Sequence, residues 1–238
     1  MAEIVDACPI EHGWRRPTWT LEMMIETMEQ KTNVRVSPST ISRALRRVGA
    51  RLGQPKPTVG CPWPKARKNR KLRAIRKLLK DLPDDEVLVY EDEVDIHLNP
   101  KIGRDWMLRG QQKEVVTPGQ NEKRYLAGAL ESRTGRLIYV AGDRKNSLLF
   151  INLLWELTRH FPDARTIHVI LDNYSIHYTQ QVNLSLETSE GRRLKLHFLP
   201  PYCPDHNKIE RLWRDLHAAV TRNHRRAKMS RLMDEVHM

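Results

Sequence analysis

The sequence predicts a mixed α/β domain preceded by a small all-α module. Three features carry that expectation. Residues 18–48 place apolar side chains at helical spacing, in two short stretches. From residue 84 onward strand-like and helix-like runs follow one another. One of them, residues 166–171, is a continuous apolar run, as expected of a central strand covered on both faces.

The first module spans residues 1–52. Leu21, Met24, Ile25 and Met28 make one helical stripe. Ser37 is a suitable N-cap, Pro38 a suitable first helical residue, and Ile41, Leu45 and Val48 form the next inward stripe. Two short helices joined by a tight turn, the second rich in arginine, match the helix-turn-helix pattern. In that geometry Ser39, Thr40 and Arg43 face base edges, with Arg46 and Arg47 nearer phosphates. The alternative is an ordinary helical hairpin with a solvated basic face.

Residues 53–83 read as a basic linker. Four prolines and two glycines fall between Gly53 and Pro64, and nine of the sixteen residues from Lys65 to Lys80 are basic, with no acid among them. Lys65, Arg67, Lys68, Arg70 and Lys71 are its candidate phosphate contacts. Leu72, Ile75, Leu78 and Leu79 suggest a helix with one apolar side.

Residues 84–238 are the α/β domain. Strands are expected over 87–96, 123–131, 136–141, 166–171 and 194–199, with a hairpin turn at 132–135. Helices are expected over 147–161, 178–187 and 207–222, the last carrying Ile209, Leu212, Trp213, Leu216 and Val220 inward.

The charge is +12, from 41 Lys and Arg against 29 Asp and Glu, which favours a polyanionic partner such as DNA. No apolar run reaches membrane-spanning length and no hydrophobic leader opens the chain. Three scattered cysteines suit a reducing cytosol better than a disulfide framework or a zinc site.

Against that basic background, Leu88-Val-Tyr-Glu-Asp-Glu-Val-Asp-Ile96 concentrates four acids in one strand. Alternation puts Glu91, Glu93 and Asp95 on one face, read as a polar face, and leaves Asp92 alone among Leu88, Tyr90, Val94 and Ile96. A carboxylate so placed needs an arginine or a bound cation. Asp172 follows the buried run 166–171, at the strand end where α/β sheets bind ligands, or else forms a turn with Asn173. Glu210 stands three residues after Asn207, in a capping-box pattern, behind a proline-rich lead-in. Hard divalent cations take carboxylate oxygens, and two such ions about 4 Å apart stabilise both oxygens of a phosphodiester cleavage.

The motifs Tyr90-Glu-Asp-Glu93, Leu171-Asp-Asn-Tyr-Ser-Ile-His177 and Leu199-Pro-Pro-Tyr-Cys-Pro-Asp-His-Asn-Lys-Ile-Glu210 resemble those of the DDE transposases of bacterial insertion sequences, in the mariner superfamily. The resemblance covers residues 18–226. It implies an RNase H-like mixed sheet with flanking helices behind the helix-turn-helix module. It also implies that Asp92, Asp172 and Glu210 are the catalytic, metal-binding triad, with Asn173 and His177 in support. The implied cofactors are two divalent ions, Mg or Mn. The implied reaction is hydrolysis at the element's ends followed by attack of the freed 3′-hydroxyl on target DNA, at the dinucleotide TA. The implied partners are double-stranded DNA and a second subunit or more, in the bacterial cytoplasm at the nucleoid.

Two departures accompany the match. His206-Asn-Lys-Ile-Glu210 stands where the family usually has Leu-Asn-Pro-Ile-Glu. Family members also usually carry another helix-turn-helix upstream and more helix downstream. The alternatives to an active transposase are therefore a truncated, inactive relic that binds DNA, or another RNase H-like nuclease.

Overall fold

The computed structural model describes residues 1–53 and 59–237, which fall into two compact units, Met1–Thr58 and Val59–Met238. The proline-rich centre of the expected linker, 54–58, lies outside the described residues.

The first unit contains α1 (Ala2–Asp6), α2 (Leu21–Thr32) and α3 (Pro38–Arg47). Thr20 caps α2 by accepting from the Met23 N–H, and Asn33 ends it in the left-handed region at φ 55°. Ser37 caps α3 in the same way through Thr40 N–H, with Pro38 as first helical residue. Ile4, Met24, Ile25 and Ile41 form the core, and Leu45 packs on it. Val48, expected in the inward stripe, is 46% exposed. The helix ends at Arg47, so the periodicity no longer governs where Val48 points.

The second unit is built on a five-stranded sheet in the order β3-β2-β1-β4-β5. Its strands are β1 (Glu86–His97), β2 (Lys123–Glu131), β3 (Leu137–Gly142), β4 (Thr166–Leu171) and β5 (Leu194–Phe198). β1, β2 and β3 are antiparallel neighbours, whereas β4 runs parallel to β1 and β5 parallel to β4. The helices are α4 (Lys65–Lys80), α5 (Ser147–His160), α6 (Gln180–Leu186), α7 (Ile209–Leu216) and α8 (Met229–Val236). A mixed sheet of this order with helices on both faces is the RNase H-like arrangement.

Each face of the sheet has its own core. Leu88, Tyr90, Val94 and Ile96 of β1 meet Leu72 and Ile75 of α4, Ile209 and Trp213 of α7, and Leu232 of α8. Val89, Ala127, Ile167 and Val169 meet Phe150, Leu153 and Leu157 of α5. The Lys65–Lys80 part of the expected linker is thus a helix of the second unit, seated by its apolar side, with its basic residues left on the other.

The last expected helix divides. α7 ends at Leu216, and a π-helical turn continues over His217–Thr221. Gly128 of β2 sets how close α7 can come, because a Cβ there would stand 2.6 Å from the Trp213 ring. No helix among the described residues is long and apolar enough to cross a membrane.

Candidate active site

The parallel pairing of β1 and β4 does the first work of assembly. Tyr90 pairs with Ile170. Asp92 and Asp172 each stand two residues further on, so they leave neighbouring strands at matching positions and on the same face. Glu210 joins them from the first turn of α7. All three line one cavity of about 600 Å³, together with Asn173, Tyr174 and Tyr202.

α7 is fixed to the sheet by Asn207. The expected capping box is absent: Lys208 is the N-cap and no side chain caps the helix. Asn207 instead donates through Nδ2 to the Glu91 carbonyl at 2.7 Å, a contact 116 residues apart in sequence. The His206-Asn-Lys segment therefore anchors Glu210 beside Asp92 without the proline of the related motif. Asn207→Ala is expected to cost about 1–3 kcal/mol of stability, because a buried carbonyl is left without its donor. Chemical denaturation checks it, and a change below about 0.5 kcal/mol would mean that Asn207 is no anchor.

The acids repel one another. Burial, then Glu210, then Glu93 push the Asp92 carboxyl up to about 8. Burial and then Asp172 raise Glu210 as well.

Glu91 and Glu93, expected on a polar face, are instead buried, at 0% and 7% exposure. β1 is a central strand with α5 over this face, so Glu91 and Glu93 are shut off from water, whereas Asp95 nearer the strand end keeps a side chain 44% exposed. Burial and then Glu93 push Glu91 well above the usual carboxylate range. Neither Glu91 oxygen has a hydrogen-bond partner among the described residues. Burial opposes charge on Glu93 too, but His177 and Lys145 outweigh it and hold its pKa below the ordinary value. Lys145 lies 3.2 Å from Glu93 Oε2. Nothing in the sequence marked Lys145, which sits between β3 and α5. Glu91 and Glu93 could have been found by treating β1 as covered on both faces.

Asn173 ties the ends of β4 and β5 together, donating to the Leu199 carbonyl at 2.5 Å and accepting from the Tyr178 hydroxyl at 2.9 Å. His177 is 2% exposed and stands behind Asp172. The structure therefore brings Asp92, Asp172, Glu210, Asn173 and His177 together.

The basic candidates lie on α3 and α4. Ser39, Thr40, Arg43, Arg46 and Arg47 lie on α3 of the first unit, where the Ser39 and Thr40 hydroxyls are hydrogen-bonded to Ser37. Arg43, Arg46 and Arg47 are exposed and make no ion pair with a described residue. On α4, Lys65, Arg67 and Arg70 are exposed, Lys68 and Lys71 half-buried, and Arg67 stacks 4.1 Å over the Trp63 ring.

Known proteins resemble this chain in sequence and in fold. Residues 87–233 match the family described as DDE superfamily endonuclease. An insertion element IS630 uncharacterized 39 kDa protein of Shigella sonnei is 42% identical over 236 residues, 99% of this chain and 68% of that protein. Among solved structures, the Mos1 transposase in a paired-end complex with its left transposon end has a TM-score of 0.62 at 18% identity, over 94% of this chain and 72% of that one. The Mos1 mariner paired-end complex with Mn gives 0.61 at 16% identity over the same shares. The Mos1 likeness establishes the fold, and the family match together with the IS630 relative establishes descent: the chain belongs to the DDE superfamily endonucleases and to the family of the IS630 insertion-element protein.

Proposed function

We propose that this chain is a transposase that cuts DNA at the ends of its insertion sequence and joins the freed 3′-hydroxyl to target DNA at TA. Asp92, Asp172 and Glu210 are its catalytic acids and hold two divalent ions, Mg²⁺ or Mn²⁺. The observation that carries the reading is the convergence of these three acids, from β1, the end of β4 and the start of α7, on one cavity.

The donor set fits the cofactor. The cavity offers carboxylate oxygens, which hard divalent cations prefer. Asp92 and Glu210 are raised by burial first and then by their neighbours' charge, and a bound dication relieves that repulsion. Glu91, Glu93 and His177 also bring one ligand atom each within 4.8 Å of one another. They do not line the cavity, and Lys145 already occupies one oxygen of Glu93. Divalent cations, when bound, supply charge stabilisation for the attacking and leaving oxygens of the phosphodiester. The chain's own acids fix where those charges sit, and Asn207 and Gly128 set the depth of Glu210 against the sheet.

DNA is held by two basic surfaces in this reading. Ser39, Thr40 and Arg43 of α3 meet base edges, and Arg46 and Arg47 meet phosphates. Lys65, Arg67, Lys68, Arg70 and Lys71 of α4 follow the backbone. Joining two ends requires at least two subunits, and the reaction belongs at the bacterial nucleoid. The Arg43→Ala/Arg46→Ala/Arg47→Ala variant is expected to bind terminal DNA more weakly. It should also lower the slope of log affinity against log salt by about 0.9 for each phosphate that the variant leaves unneutralised. Fluorescence anisotropy at several salt concentrations checks this, and an unchanged slope would return α3 to a solvated helix.

The reaction itself is tested by a nicking and strand-transfer assay with DNA carrying the flanks of the chain's own gene. Mn²⁺-dependent cleavage and joining, lost in Glu210→Gln, is the expected result. DNA binding without cleavage would make the chain a DNA-binding relic. Cleavage without joining would make it a nuclease of the same fold.

A further inference from the structure

Behind the cavity lies a buried row of polar side chains that the proposed reaction leaves unused. His177 Nδ1 lies 3.4 Å from Asp172 Oδ1, and its Nε2 lies 3.1 Å from Glu93 Oε1. Glu93 Oε2 is 3.2 Å from Lys145 Nζ, and that ammonium stands 4.7 Å over the Tyr174 ring. Phe150 closes the other side of the imidazole, with ring centroids 4.5 Å apart. The row therefore runs from Lys145 through Glu93 and His177 to Asp172.

Asp172 needs such a backing. Its side chain is 56% exposed, whereas His177 and Glu93 are each at 1%. A carboxylate that open has few groups around it to fix its orientation, which cation binding requires. Oδ1 accepts from the Tyr174 N–H at 2.8 Å, and on the same side, 3.4 Å away, stands His177 Nδ1, a buried nitrogen without a hydrogen-bond partner among the described residues. That leaves Oδ2 for the cavity. Groups that orient a metal-binding side chain in this way are worth about 10–100-fold in metal affinity.

We propose that His177, held by Glu93 and Lys145, is a positioning residue that fixes the Asp172 carboxylate for cation binding. This rests on the reading of Asp172 as a cation ligand. A histidine buried only to fill space would be satisfied by Glu93 alone. Here the second ring nitrogen faces the one cavity acid that is mostly exposed. Glu93 sets the orientation of the ring, and Lys145 balances the charge on Glu93.

The test is Mn²⁺ titration of the full chain, following free Mn²⁺ by electron paramagnetic resonance, with thermal melting alongside. His177→Phe fills the space beside Phe150 but offers no nitrogen. His177→Asn leaves a gap but keeps an amide near Asp172. A positioning role predicts that His177→Phe weakens Mn²⁺ binding about tenfold or more, and that His177→Asn retains more affinity than His177→Phe despite melting lower. A packing role predicts the reverse order in affinity, and that order overturns the proposal. If His177→Phe does not fold, Glu93→Gln serves instead, with weakened Mn²⁺ binding expected and unchanged binding overturning the proposal. Asp172→Asn separates the two levels of the reading. Affinity lost in Asp172→Asn but intact in His177→Phe removes only the positioning role. Affinity intact in Asp172→Asn removes Asp172 from the cation site and the positioning role with it.

Discussion

Asp92→Asn is expected to lower metal-dependent cleavage by about a thousandfold or more while leaving DNA binding unchanged. The substitution keeps the shape of the side chain and removes one oxygen donor and one negative charge. A bound cation contributes several kcal/mol to transition-state stabilisation, and about 4 kcal/mol corresponds to a factor of about a thousand in rate. DNA binding is assigned to α3 and α4, so it should not respond. The same substitution removes an acid that Glu210 and Glu93 both repel. The cation-free variant should therefore melt higher than the natural chain above pH 8. Cleavage that survives Asp92→Asn, or melting that falls at that pH, would take Asp92 out of the site.

The second large effect is on pH. The Asp92 carboxyl lies at about 8 in the folded, cation-free chain, against an ordinary 3.8. Between those values the folded state holds a proton that the unfolded state has released. The contribution of Asp92 to the stability of the cation-free chain is therefore lost as pH rises towards about 8, and is gone once Asp92 ionises. Cation binding runs the other way, because the ligand must be deprotonated. Below pH 8 the ion that binds Asp92 displaces its single proton, so apparent Mn²⁺ affinity at that position should rise about tenfold per pH unit up to that point and then level. Glu210 is raised as well and steepens the lower part of the curve. Mn²⁺ titration from pH 6 to 9 measures it. A flat profile would mean that the Asp92 proton and the ion do not share a site.

Much of this candidate site was readable in the sequence, for identifiable reasons. Asp92 stood out because it interrupts an apolar alternation, and Asp172 because it follows an unbroken apolar strand. Their neighbourhood follows from β1 and β4 being parallel and in register, which no local pattern displays. Glu210 was found by its motif, but its local explanation was not observed. A capping box is a contact within one turn, whereas Asn207 reaches across to the Glu91 carbonyl. Glu91 and Glu93 were misplaced because alternation separates two faces without saying which is wet. Here α5 covers one and α4, α7 and α8 cover the other. Lys145 carries no local signature, since its role is set by the packing of α5 against β1. Likewise, the basic run 65–80 shows its charge in the sequence, while its seat on the core depends on Leu72 and Ile75 finding β1.

The central claim is that Asp92, Asp172 and Glu210 form one cation site. Anomalous diffraction from crystals of the chain soaked in Mn²⁺ tests it most directly. Anomalous peaks are expected in the cavity, within coordination distance of those three carboxylates. A peak instead among Glu91, Glu93 and His177, with none in the cavity, would contradict the claim and move the metal chemistry behind the sheet.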